Sequence, residues 1–179
     1  MLGLPKWEPE KNNWYAIFSP TGEEENVKQR IEYKFLDQFR VIVPKRKIRE
    51  RKNGQWTIKI RTLFPGYVLI NGYLDDEAYY GLKEIPGLIK ILKSGNTILN
   101  VEKREIEVIQ KLIGNNDDII GFSKVLEVNN KIVVTEGPLA SLEGLIESID
   151  KRKGRAKVKL NFLGEPRTVE LGISMLQRA

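Results

Sequence analysis

The stretch at residues 61–71, RTLFPGYVLIN, restricts the fold more than any other part of the chain. Val68, Leu69 and Ile70 form an apolar run fit for a buried strand. Just before them, Pro65 has no N–H for a sheet ladder, so it belongs at a strand start, an edge or a bulge. Gly66 carries no side chain and lets another segment approach its backbone closely. Phe64 and Tyr67 therefore flank a kink at a strand entrance. Two readings follow: a corner with its aromatics in the core, or an aromatic anchor on a binding surface.

Composition narrows the chemistry. The chain has 179 residues, 41% hydrophobic and 30% charged, which suits one folded domain or two small ones. It contains no Cys and no His. That excludes disulfides, thiolate nucleophiles, imidazole bases and most zinc sites. The closest acidic pairs, Asp75-Asp76 and Asp117-Asp118, suit a helix cap or a linker better than paired-carboxylate catalysis. A non-enzyme without cofactor or metal is expected. No run approaches the roughly 18 apolar residues of a membrane span, and the polar N-terminus does not read as a signal peptide. Cytoplasmic residence without membrane association is the expectation. Net charge is +6 with pI near 9.4, which makes polyanions the natural partners.

Residues 14–18 read as a strand, and 19–22 as a turn. Thr21 or Gly22 is expected to cap a helix whose first turn holds Glu23, Glu24 and Glu25 and whose apolar stripe is Val27, Ile31, Phe35 and Leu36. Residues 41–43 start a second strand, closed by Pro44. Asn53-Gly54 is a strong hairpin signal. It joins a basic strand holding Lys45, Arg46, Lys47, Arg49, Arg51 and Lys52 to the strand at 56–60. A helix capped by Asp75 or Asp76, a strand at 88–92 and a helix at 101–113 follow. After a linker at 114–124 the texture changes to short strands and Gly-rich turns, as in a small barrel. The expected division is 1–113, linker 114–124 and 125–179.

The segments WYAIFSPTGEE, FPGYVLI and VTEGPLASLEGLIESIDKRKGRAKVKLNFLGEPRTVEL, in this order, resemble the NusG family of transcription elongation factors. The resemblance implies an α+β chain: a ferredoxin-like α/β sandwich of NGN type, then a small SH3-like β-barrel carrying a KOW motif over about 131–158. It implies that Trp14, Tyr15, Phe64, Pro65, Gly66 and Tyr67 line a docking surface for the clamp helices of the RNA polymerase β′ subunit. Rigid aromatics beside small residues are the usual make-up of a hot spot. The basic hairpin is a candidate to touch DNA or RNA in the transcription complex, against the alternative of a solvated hairpin guarding an edge.

The second segment departs from the general factor. Leu139 and Leu142 replace the Phe residues of the usual motif, and Leu163 stands where many members have Phe. Contacts to Rho or a ribosomal protein are thereby put in question. Charge takes their place. Lys151, Arg152 and Lys153 form a basic turn, and Arg155, Lys157 and Lys159 alternate with apolar residues, so one strand face carries three cations. Arg167 and Arg178 add to that side. The pattern is similar to the LoaP branch, antiterminators whose KOW domain binds a hairpin in a nascent leader RNA. The reading is a monomeric antitermination factor. The alternatives are a general elongation factor whose barrel binds proteins, or a KOW ribosome-associated protein. A barrel that refolds to helices finds little support in a segment rich in Ile, Val and Thr.

Overall fold

The computed structural model describes residues 13–115 and 117–176, so Arg178 lies outside the described residues. In chain order the elements are β1 (Trp14–Phe18), α1 (Glu24–Phe35), a 3-10 turn (Leu36–Gln38), β2 (Phe39–Ile42), β3 (Lys45–Lys52), β4 (Gln55–Thr62), β5 (Tyr67–Gly72) and α2 (Asp76–Lys83). Then come β6 (Lys90–Ile91), β7 (Lys93–Ser94), β8 (Thr97–Ile98), α3 (Lys103–Ile113), β9 (Ile119–Ile120), β10 (Ser123–Val128) and β11 (Lys131–Glu136). A second 3-10 turn (Glu143–Leu145), β12 (Ile146–Asp150), β13 (Arg155–Phe162) and β14 (Glu165–Met175) complete the mixed α+β chain. No described helix is long and apolar enough to cross a membrane.

Two compact units emerge. The first comprises the chain up to Val43 and Phe64–Ile106. Its sheet has the order β2-β5-β1-β6, antiparallel throughout, with a β-α-β-β-α-β chain order. β1 is central, and Tyr15, Ala16 and Ile17 are fully buried. Val27 and Ile31 of α1 and Ala78 and Leu82 of α2 join the core over this sheet. Asp75 caps α2 as the sequence suggests, accepting from the Ala78 N–H at 2.8 Å. The start of α1 differs from expectation. Its N-cap is Glu23, not Thr21 or Gly22, and no side chain caps it. Leu36, expected on the apolar stripe, is exposed, because the chain leaves the helix there with φ +50°.

The second unit comprises Pro44–Leu63 and the chain from Glu107 onward. Five strands form one sheet in the order β11-β10-β14-β13-β12. β14 is long enough to serve two neighbours: its first part pairs with β13 as far as Gly172, and Ile173, Ser174 and Met175 pair with β10. Along β13 the alternation expected from sequence is present. Ala156, Val158, Leu160 and Phe162 are buried, and the residues between them face outward.

The Asn53-Gly54 hairpin forms with φ +51° and +77°, the left-handed pair a two-residue turn requires. Its place differs from the expected division. The structure groups it with the second unit, and β9 and the start of β10 lie inside the stretch expected as linker. The reasons are local. Ile119 and Ile120 pair with Lys45 and Arg46 of β3, and Ile120 is buried. β14 passes so close to β3 that the Lys47 carbonyl occupies the place where a Cβ on Gly172 would stand.

Candidate functional site

Phe64-Pro65-Gly66-Tyr67 forms a tight turn into β5. The Tyr67 N–H donates to the Phe64 carbonyl at 3.1 Å, and Gly66 has φ +87°. Proline at the second position and glycine at the third are what a type II turn demands. Two further bonds pin the turn, and a third ties the same carboxylate to the 19–22 turn. The Ser19 N–H donates to the Gly66 carbonyl at 2.8 Å. One carboxylate, Glu24, accepts from the Gly66 N–H at 2.7 Å and from the Gly22 N–H at 2.9 Å. Glu24 is only 3% exposed, so the turn at 19–22, the first turn of α1 and the aromatic corner share one buried anchor. Tyr67 packs edge-on against Phe18 at 5.6 Å.

The six residues proposed for docking divide by depth. Pro65 is exposed and Tyr67 half-buried. Trp14, Tyr15, Phe64 and Gly66 are buried, with the Arg40 guanidinium 5.8 Å from the Trp14 ring. The corner is thus both core and surface. Sequence reasoning gave Glu24 only a helix-dipole role; nothing in its local sequence says that it turns inward to a segment 42 residues away.

The cations of the second unit also divide. Arg155 is committed: it donates to the Glu170 carboxylate at 2.7 Å and to the Arg49 carbonyl at 2.9 Å. Arg49 donates to the Ile173 carbonyl at 3.1 Å, with its guanidinium 4.8 Å from the Phe122 ring centroid. Arg46 donates to the Glu170 carbonyl, and burial lowers its pKa from the ordinary guanidinium value. Three arginines therefore join β3 to the β13–β14 ladder. Lys151 pairs with Glu127 at 2.7 Å, and Arg167 lies 5.2 Å from the Phe162 ring. Arg152, Lys153, Lys157 and Lys159 are exposed and form no ion pair among the described residues. Their face is not purely basic, since the ladder sets Asp150 opposite Arg155 and Glu170 opposite Lys157. On the hairpin, Lys47 is half-buried and Arg51 and Lys52 are exposed, while Lys45 extends the strand next to β9.

A family model described as "Transcription termination factor nusG" matches residues 12–110, more than half of the chain. The chain is 28% identical over 181 residues to the transcription termination/antitermination protein NusG of Rickettsia felis, covering 98% of this chain and 94% of the relative. It is 29% identical over 177 residues to the protein of the same name from Bacillus subtilis, covering 94% and 99%. A solved structure described as "Domain interaction in Thermotoga maritima NusG" is similar at a TM-score of 0.57 and 25% identity, covering 90% of this chain and 94% of that one. The chain belongs to the NusG family of transcription termination factors.

Proposed function

We propose that this chain is a non-enzymatic, monomeric antitermination factor that docks on the β′ clamp helices of RNA polymerase. Docking uses the surface around Pro65 and Tyr67, and the basic face of the second unit reads a hairpin in nascent leader RNA, as in the LoaP branch. The observation that carries the reading is the pinned corner. Three hydrogen bonds fix the turn, so its aromatic edge meets a partner with little conformational freedom left to lose, as in a preorganised interface. The exposed cations Arg152, Lys153, Lys157 and Lys159 support the RNA half, and Arg155 belongs to the hairpin joint rather than to a free RNA surface. A second reading, the general factor with a protein-binding barrel, draws support from the acidic residues interleaved on that face.

Two assays separate the halves. Binding of the full chain to purified core polymerase is expected to weaken about tenfold or more in Tyr67→Ala, as for a hot-spot aromatic. RNAs crosslinked to the full chain identify the ligand. For that RNA, a variant with Arg152, Lys157 and Lys159 changed to Ala is expected to bind more weakly, with a shallower salt dependence. Unchanged RNA binding in that variant favours the general-factor reading.

A further inference from the structure

We infer that the outer edge of β4 is a docking site for an extended peptide segment that alternates apolar and acidic residues, added as a further strand. β4 is the end strand of the β4-β3-β9 sheet, and no described strand covers its outer edge. Every residue from Gln55 to Arg61 is exposed. That includes three large apolar side chains at strand spacing, Trp56 at 42%, Ile58 at 59% and Ile60 at 48%. Alternation puts all three on one face. Thr57, Lys59 and Arg61 occupy the other.

Natural edge strands are blunted against pairing by charge, proline or bulges. β4 pairs with β3 in unbroken register and has no proline. It carries charge on one face only. The apolar face is flanked across the ladder by cations: Arg51 stands opposite Trp56, Arg49 opposite Ile58 and Lys47 opposite Ile60. The other face carries Lys59, which forms no ion pair among the described residues, and Arg61, already held by Glu50.

Charge selects the occupant. A second copy of this basic chain, paired edge to edge, would set the unneutralised Lys59 of each copy against the basic edge of the other. An anionic strand does not meet that repulsion. Two aliphatic side chains in line with one aromatic favour a peptide over a nucleic acid, whose bases gain most from successive aromatic platforms. A peptide strand supplies apolar side chains every second residue to cover Trp56, Ile58 and Ile60. Its intervening carboxylates meet Lys59 on the opposite face, and its backbone completes the ladder.

The test uses the full chain and a labelled, end-capped peptide that alternates Glu and Val over the 8-residue length of β4. Fluorescence anisotropy is expected to report binding. A peptide of the same composition with its glutamates and valines in separate blocks is expected to bind far more weakly, as is the alternating peptide N-methylated along its pairing edge. Ile58→Lys is expected to weaken binding about tenfold or more, since it removes an isoleucine that the bound peptide would cover. Trp56→Ser provides a second, independent variant. Both positions are exposed, and an unchanged far-UV circular dichroism spectrum checks that each variant folds. Equal binding of the block peptide, or unchanged affinity in both variants, overturns the proposal. So does a face that ignores the peptide but binds oligouridine in a way sensitive to Ile58→Lys, or that drives self-association of the free chain. None of these outcomes touches Tyr67 or the cations of β13, so this site and the polymerase and RNA readings fail separately.

Discussion

Gly66 and Glu24 set the geometry of the aromatic corner. A Cβ on Gly66 would stand 3.1 Å from Phe18 Cε2 and 3.2 Å from the Ser19 carbonyl, and the backbone there has φ +87°. Gly66→Ala is therefore expected to cost about 1–2 kcal/mol from the left-handed backbone alone, with the steric cost added, as measured by urea unfolding. Glu24→Ala leaves two backbone N–H groups without their acceptor, one of them buried at the corner. The expected loss is about 1–3 kcal/mol per unsatisfied buried group. Losses confined to the few tenths typical of surface sites would contradict the pinned corner. The sequence disclosed half of this. Pro65 and Gly66 announce the kink because their backbone limits are intrinsic to the residue. The partner that holds the kink comes from another element, and a glutamate at a helix start carries no mark of which way it faces.

At the scale of elements, the decisive feature is the joint between β3 and β14. The hairpin turn was legible because Asn53-Gly54 tolerates the left-handed backbone. Its place beside β14 was not. That placement rests on a missing Cβ at Gly172 and on three guanidiniums donating to carbonyls far along the chain. The strand-face pattern at 155–160 was read correctly as alternation, yet alternation cannot tell a free cation from one held in a joint. Arg155→Ala is expected to raise amide hydrogen exchange across β3 while leaving β1 and β5 unchanged. Arg155→Lys is not expected to restore protection, since a single ammonium lacks the fork that reaches both Glu170 and the Arg49 carbonyl. The hairpin also titrates. The hydrogen bond from Arg61 holds the Glu50 carboxyl below its ordinary value of 4.5. A depressed carboxylate stabilises the fold above that ordinary value and loses its contribution as pH falls through the lowered one. Protection of the β3 and β4 amides, corrected for the intrinsic exchange rate at each pH, is therefore expected to fall in acid below about pH 4.5, and Glu50→Gln removes that dependence.

For the whole molecule, two textures in the sequence became two units, though with different membership. Local signals located the three α-helices and most strands, though not β7, β8, β9 or β10, because periodicity, caps and turns are properties of neighbouring residues. Membership depends on contacts between distant segments, and so the hairpin crossed from the first block to the second. The same chain presents a pinned aromatic corner in one unit and unpaired cations in the other, in a member of the NusG family. The most direct measurement is single-round transcription through a terminator with purified polymerase of the same species. Adding the full chain is expected to change the fraction of transcripts that pass the terminator, and Tyr67→Ala is expected to return that fraction to the level without protein. An unchanged fraction with the wild-type chain, or a Tyr67→Ala variant as active as wild type, would contradict the account.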